Sequence, residues 1–377
     1  MSLKSLDRVP ELDGVRGLAI LLVLCFHIFK RANYFTGNAV LLWLSEPARI
    51  GWIGVDIFFV LSGFLITGIL LRSREKAHYF KNFYVRRILR IFPLYYLLVG
   101  GLLIFLPALD HNAGLQTQSN WLYFMLYQQN WLYIFQPEPS LMLGFIWSLA
   151  IEEQFYLLWP SVVYFLNRKA LVVASLGVVI FSLLIRIVMM QMQPLLSNYF
   201  SVPSFFYYST VTRFEGLALG ALIAIAFDSA PMWKERLARW AWPVLILFSG
   251  LFLVAIFTGA PDPKSGNQFL EIWGYSFLVY SSGALIVLVT TLSEGALLRK
   301  VFRNRMMTFF GKYSYAMYMI HLPLISILLD RMWKMGRQNF SMWLGYVVIS
   351  FGGTILLSLV SWNILEKHML SLKRYFE

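Results

Sequence analysis

Apolar residues run along this chain in long uninterrupted stretches, and ten of them approach the roughly 20 residues a helix needs to cross the hydrocarbon core of a bilayer. They cover 12–31, 52–71, 91–109, 146–166, 170–190, 211–227, 241–258, 273–293, 313–329 and 342–362. Each predicts a transmembrane helix. An eleventh stretch, Trp121 to Phe135, is rich in aromatic residues but broken by Gln128, Gln129 and Asn130. That pattern fits a segment lying at the membrane interface better than one crossing it. There is no repeat of fixed period, no low-complexity tract and no long polar linker. The reading is therefore all-α, a polytopic helical bundle forming one transmembrane domain over 1–377.

Composition sharpens this. Hydrophobic residues make up 59% of the chain and charged residues 14%, against roughly 45–50% and about 25% in ordinary globular proteins. A water-soluble fold is excluded on that ground. The single cysteine, Cys25, rules out an internal disulfide framework and a cysteine-based zinc cluster, and no metal site is predicted. The first apolar stretch contains Arg16 and His27 and lacks a small-residue cleavage site, so it reads as a retained first span rather than a signal peptide.

Thirty-two Lys and Arg against nineteen Asp and Glu leave a net charge of +13. In a soluble chain that excess would raise the question of nucleic acid; here its distribution assigns it to topology. Ten spans place both termini on one side. Of the 32 basic residues, 22 fall on that side, seven on the other, and Arg16, Arg186 and Arg213 within spans. By the positive-inside rule both termini are cytosolic, and a bacterial cytoplasmic (inner) membrane is the expected location. No nucleic-acid partner is needed to explain the charge.

A charge inside the hydrocarbon region costs upwards of about 2.5 kcal/mol, so such residues face a bundle interior or a cavity. With spans laid alternately up and down, His27, Asp56, Glu152, Glu153, Arg186, Arg213 and Glu215 come to a similar depth, which predicts a polar chamber in the outer half. At the inner face Arg86, Arg87 and Arg90 precede the third span, and Arg86 and Arg90 share one helical face. Guanidinium groups suit phosphate, although topogenic charge and lipid headgroups explain the same spacing. Arg16 and His27, eleven positions apart, return to nearly one face.

A lone histidine on an apolar helix is more often a packing or hydrogen-bonding group. Two glutamates at the same depth change that, because His exchanges protons near neutral pH and a carboxylate can fix its tautomer. Cys25 points about 200° away from His27 and reads as packing. Ser148, Glu152 and Tyr156 form one polar stripe, whereas Glu153 lies about 100° round the helix; which glutamate serves the site is left open. Gly63 favours close helix packing over a nucleophilic role for Ser62. His321, followed by Pro323, reads as bonding carbonyls freed at a kink. The outer loop 110–145 has no Lys or Arg and many aromatics, read as an interface belt ahead of a sugar-stacking surface.

Six segments occur in a recognisable order: PELDGVRGLAILLVLCFH, GVDIFFVLSGFLIT, FYVRRILRIFPLYY, WSLAIEEQFYLLWP, RFEGLALGALIA and YSYAMYMIHLPL. Together they make the chain resemble the acyltransferase 3 superfamily of integral membrane acyltransferases from about Leu12 to Glu366. The end reads LEKH around Glu366, where many relatives have a proline soon after. The resemblance implies transfer of an acyl group, commonly acetyl, from cytosolic acyl-CoA to a hydroxyl of a surface or exported carbohydrate or of a glycosylated natural product. It implies His27 as the catalytic histidine and Arg16, Arg86, Arg87 and Arg90 as donor-binding positions. Glu152 and Glu153 join His27 as catalytic candidates, and Asp13, Ser62, Trp147, Ser148, Arg213, Glu215, Tyr315 and His321 as candidates for supporting the site. Acyl-CoA is the expected co-substrate, with no cofactor permanently bound. The expected partners are a carbohydrate or glycosylated acceptor and membrane lipid, with a homo-oligomer left open. The expectation is a member without an appended SGNH hydrolase-like domain.

In this scheme the nucleotide end of the donor sits against Arg86, Arg87 and Arg90, and the pantetheine arm passes Arg16 to bring the thioester to His27. His27 then activates the acceptor hydroxyl or becomes acylated first. A competing class is a transporter using Asp56, Glu152, Glu153 and Arg213 as a solute or proton pathway, but no inverted repeat or broken helix accompanies it. A scaffold in a polymer-export complex has no use for so many intramembrane ionisable groups.

Overall fold

The computed structural model describes residues 9–376 apart from 110, 137–139, 258–261, 263, 265 and 335–338. Lys4, Arg8 and Arg337 of the charge bias, and Asp110 at the head of the aromatic loop, lie outside the described residues. Among the described residues all regular structure is helical, and ten helices have 17 residues or more. They are α1 (Pro10–Ala32), α2 (Gly54–Ser73), α3 (Tyr79–Leu109), α4 (Trp147–Phe165) and α5 (Arg168–Gln191), then α6 (Thr210–Ser229), α7 (Pro231–Phe257), α8 (Tyr275–Thr291), α9 (Arg305–Trp333) and α10 (Phe340–Ser361). Each overlaps one predicted stretch, with α3, α7 and α9 beginning well before it. Eight helical segments are long and apolar enough to cross a membrane, so the chain is an all-α, multi-pass membrane protein. The two long helices not among those eight are α4, which carries Glu152 and Glu153, and α9, whose first turns are basic and polar.

Local chemistry sets the helix starts. Asn167 Oδ1 accepts from Ala170 N (3.0 Å) at α5 and Ser209 Oγ from Val211 N (3.2 Å) at α6. At α9, Asn304 Oδ1 accepts from Met306 N (2.8 Å), and at α10 Asn339 Oδ1 accepts from Met342 N (2.9 Å). Each cap satisfies an amide that has no partner within its own helix. The third helix begins at Tyr79 rather than at 91, because residues 79–90 alternate aromatic rings with Lys and Arg whose stems lie along the helix. The arginine cluster is thus inside α3, not before it.

Helix α1 packs lengthwise on α9 and against α2; α2 packs on α6, α6 on α5, and α7 on α8. Two of these crossings demand glycine. A Cβ on Gly17 would collide with the Met307 carbonyl, and one on Gly311 with the Asp13 carbonyl; on the other pair, Gly63 would strike Leu217 O and Gly220 would strike Val60 O. Close packing at Gly63 is therefore what the structure contains. The membrane-crossing segments holding α2 and α8 are 72% buried in the protein, against 22% for those holding α7 and α10. The latter turn Ile246, Leu247, Leu356 and Val360 outward, as a lipid-facing wall requires.

The aromatic segment 121–135 departs from the interfacial reading. It forms two short helices, Trp121–Met125 and Gln129–Phe135, broken at Tyr127, whose φ is 54°. Gln129 and Asn130 are fully buried. Gln129 Nε2 donates to Ile146 O (2.8 Å), and Asn130 Nδ2 donates to Tyr208 O (3.1 Å) and Thr210 Oγ1 (2.9 Å). Gln154 Nε2 completes the set by donating to Tyr127 O (2.8 Å) and Asn130 Oδ1 (2.9 Å). These amides tie the segment to α4 and α6, because a buried amide is tolerated only when bonded. Trp121, Leu122 and Leu126 remain exposed.

Candidate active site

A cavity of about 550 Å³ opens among α1, α2, α3, α4 and α9. Helices α1 and α3 begin, and α2 and α4 end, at the same face, so Arg16, Arg72, Lys76, Arg86, Arg87 and Arg90 gather at one end of it. Ser148 and Tyr318 line the far end, with Ser62, Glu152, Tyr156 and Tyr315 between. Lys373, from a turn after α10, also faces the basic end. Seven basic side chains and two carboxylates, Asp13 and Glu152, therefore line one space. Asp13 is engaged by Arg16 at 2.7 Å. Among the described residues no carboxylate lies within ion-pair distance of Arg86, Arg87, Arg90 or Lys373. Arg87 instead lies over the rings of Phe83 and Tyr156, 5.7 and 5.6 Å from their centres. Cations crowded this way without counter-charges make a site for a polyanion.

The stripe predicted on α4 faces the cavity. Ser62 Oγ donates to Glu152 Oε1 at 2.7 Å, and Tyr156 Oη donates to Ser62 Oγ at 3.2 Å. Tyr318 Oη and Ser148 Oγ are hydrogen-bonded at 2.5 Å, and both hydroxyls reach Phe145 O, at 2.8 and 3.4 Å. Tyr315 Oη donates to Ile91 O at 2.6 Å. Glu153, one residue round the helix, does not line the cavity, and its Oε1 is buried without a hydrogen-bond partner among the described residues. Of the two glutamates it is Glu152 that the 100° step turns into the cavity.

His27 is half-buried and does not line the cavity either. It bonds to neither glutamate among the described residues. Its partner is His321: the two rings are 5.0 Å apart, with His321 Nε2 3.2 Å from His27 Nδ1. His321 Nδ1 faces the carbonyls of Tyr318 (2.7 Å) and Met317 (3.2 Å). Carbonyls only accept, so that nitrogen carries the proton and Nε2 carries the lone pair. His27 Nδ1 likewise faces Val23 O at 3.0 Å, so its N–H is shared between Val23 O and His321 Nε2. What remains is a lone pair on His27 Nε2. His321 does bond carbonyls, but those of Met317 and Tyr318 and not Met319 O, the one that Pro323 leaves free, and it contacts His27 as well. Tyr318 touches both places: it lines the cavity, and its carbonyl accepts from His321 Nδ1.

The predicted polar chamber is replaced by two closed ion pairs. Arg213 Nη2 lies 2.8 Å from Asp56 Oδ1, with the Tyr275 ring 4.4 Å and the Trp147 ring 5.6 Å from the guanidinium. Arg186 Nη2 donates to Glu215 Oε2 and Ser276 Oγ, both at 2.6 Å, while Nε reaches Ile272 O (3.0 Å) and Nη1 Thr212 O (3.2 Å). All four ionisable side chains are at most 3% exposed and none lines the cavity. Charges of opposite sign at one depth neutralise one another more cheaply than they hold a water-filled space open. Arg213, Glu215 and Trp147 thus support the fold of α2, α5 and α6 and do not touch the cavity.

The family model described as an acyltransferase domain matches residues 9–362. The chain belongs to the acyltransferase 3 family. It is 30% identical over 380 residues to the putative peptidoglycan O-acetyltransferase YrhL of Bacillus subtilis (strain 168), a match covering 95% of this chain and 54% of that one. It is 30% identical over 344 residues to the peptidoglycan O-acetyltransferase OatA of Listeria monocytogenes, covering 85% and 50%. A putative O-acetyltransferase of Staphylococcus aureus (strain COL) is 26% identical over 335 residues, covering 86% and 52%. The chain spans about half the length of these relatives. No solved structure matches it.

Several residues of the cavity stand outside the predicted set, among them Arg72, Lys76, Tyr318 and Lys373. Tyr318 belongs to the acyltransferase 3 segment YSYAMYMIHLPL, where Tyr315, Tyr318 and His321 recur every third residue, a spacing that could have marked them as one face. Lys373 lies beyond the region matched by the acyltransferase 3 model, and the sequence pattern counts it only among topogenic charges. Nothing in a single helix tells which neighbour its tail meets.

Proposed function

We propose that this protein is a membrane O-acyltransferase that moves an acetyl group from acetyl-CoA to a hydroxyl of a carbohydrate. The observation that carries this reading is the cavity with seven basic side chains at or near one end and Ser148, Glu152 and Tyr318 towards the other. CoA matches it: a phosphate-rich nucleotide joined to a slender, neutral pantetheine arm that ends in the thioester. The relatives named as peptidoglycan O-acetyltransferases support a cell-wall glycan as the class of acceptor. The basic end is the cytosolic one by the positive-inside rule, so the donor enters from the cytosol and the acceptor from the opposite side.

The thioester comes to the Ser148–Tyr318 end, next to the histidine pair. His27 Nε2 takes the proton of the acceptor hydroxyl as its oxygen attacks the thioester carbonyl; the new C–O bond forms, the C–S bond breaks, and the imidazolium returns the proton to the leaving thiolate. Glu152, held by Ser62, and the hydroxyls of Ser148 and Tyr318 are the polar groups available to the carbonyl end of the donor. Asp56 and Arg213, which a solute pathway would need open, are closed on one another.

Purified protein in detergent, given radioactive acetyl-CoA and a glycan acceptor, is expected to form labelled product. In His27→Ala that rate falls by about 10²–10⁴-fold, the usual contribution of a general base. Transfer at the wild-type rate in the variant would overturn the assignment.

A further inference from the structure

After α10 the chain does not stop at the edge of the bundle. A single π turn, Trp362–Glu366, leads into a short helix, Lys367–Ser371, and a 3₁₀ turn, Leu372–Tyr375. No proline interrupts residues 363–376, so backbone bonding continues, and this whole segment packs against α3, the helix that carries the arginine cluster. Glu366 is buried and accepts from Ser361 Oγ at 3.0 Å, which anchors the start of the segment. In a 3₁₀ turn, residues three apart share a face. Lys373 and Phe376 are the half-buried pair and both line the cavity, whereas Arg374 and Tyr375 between them are exposed.

The placement sets a fourth cation beside Arg86, Arg87 and Arg90, and among the described residues it has no carboxylate within ion-pair distance. Like charges held together in a part-buried space repel, and an uncompensated ammonium there is costly. A chain would not fold its own lysine into such a cluster for stability. The arrangement makes sense when a ligand carrying several negative charges fills the centre. Arginine supplies planar, two-pronged contacts, and lysine adds a mobile point charge that adjusts to a phosphate oxygen.

The geometry points to the C-terminal turn as a clasp of the donor site, with the Lys373 ammonium binding a phosphate of the CoA nucleotide end beside Arg86, Arg87 and Arg90. This rests on the reading of the cavity as an acyl-CoA site. It goes beyond the matched family region, which ends at residue 362. It also turns a residue that reads as topogenic into one that determines donor affinity.

The test compares the full-length protein with Lys373→Ala, Lys373→Glu and Lys373→Arg, measuring binding of CoA and of pantetheine, which lacks the phosphates, by thermal shift and calorimetry. Loss of one charged contact is expected to weaken CoA binding about tenfold in Lys373→Ala and further in Lys373→Glu. Lys373→Arg should bind within a few-fold of wild type, pantetheine binding should not move, and the melting temperature of ligand-free Lys373→Ala should not fall, since the substitution removes a repelling charge. Wild-type CoA affinity in Lys373→Ala, alongside weakened binding in Arg90→Ala, would overturn the clasp and leave the donor site standing. A ligand-free melting temperature lowered in Lys373→Ala, with CoA and pantetheine affected equally, would assign the lysine to folding and overturn the clasp as well. No CoA binding by wild type would overturn both.

Discussion

His27 shows how little a residue's identity says about its chemistry until its neighbours are known. An imidazole can present either nitrogen as the base, and the choice belongs to whatever bonds the other one. Here two backbone carbonyls and His321 decide it. Met317 O and Tyr318 O hold the proton on His321 Nδ1, and His321 Nε2 in turn accepts from His27 Nδ1. In the proposed reaction His321 is a positioning residue, acting only through its hydrogen bond to His27. Replacing it with alanine should lower the turnover number by on the order of 10²-fold, the lower end of a general base's contribution, with the KM for acetyl-CoA nearly unchanged. His321→Gln, which can still accept from His27, should restore part of the rate. Equal loss in both variants, or a rise in KM with turnover intact, would remove His321 from this role.

At the scale of helices, the crossings that frame the cavity are set by what is missing. At Gly17 and Gly311 between α1 and α9, and at Gly63 and Gly220 between α2 and α6, any Cβ would sit inside the opposing backbone. Because the obstacle is backbone and not a flexible side chain, the helices would have to separate. Such overpacking costs about 1–3 kcal/mol or more. Gly63→Val and Gly17→Val should therefore lower the yield of monodisperse protein in fluorescence-detected size exclusion. Gly101→Val and Gly177→Val, where an added Cβ meets nothing within 4 Å, should elute like wild type. The control is informative because all four glycines lie in apolar spans that look alike along the chain.

For the molecule as a whole, part of the basic excess that the sequence assigns to topology is gathered in one cavity, which seven basic side chains line. If that cavity binds the nucleotide end of CoA through several phosphate contacts, affinity should fall as salt rises, since screening shortens from about 10 Å at 0.1 M to about 3 Å at 1 M ionic strength. CoA affinity measured across that range should drop several-fold while pantetheine affinity stays level; a flat CoA series would count against an electrostatic donor site. The sequence alone determined the ten long helices and the Ser148–Glu152–Tyr156 face, though not where α3, α7 and α9 begin, because apolar length and a 3.6-residue period are properties of one segment read by itself. The same period separated Glu152 from Glu153 without saying which one met a neighbour. Only the tertiary structure decided that Asp56, Arg186, Arg213 and Glu215 close into pairs, that Gln129 and Asn130 are buried, that His27 meets His321, and that Lys373 turns back onto the arginine cluster. Each of those outcomes depends on which helices are adjacent, and charges at one depth can equally line a cavity or neutralise one another until the packing brings particular partners within bonding distance.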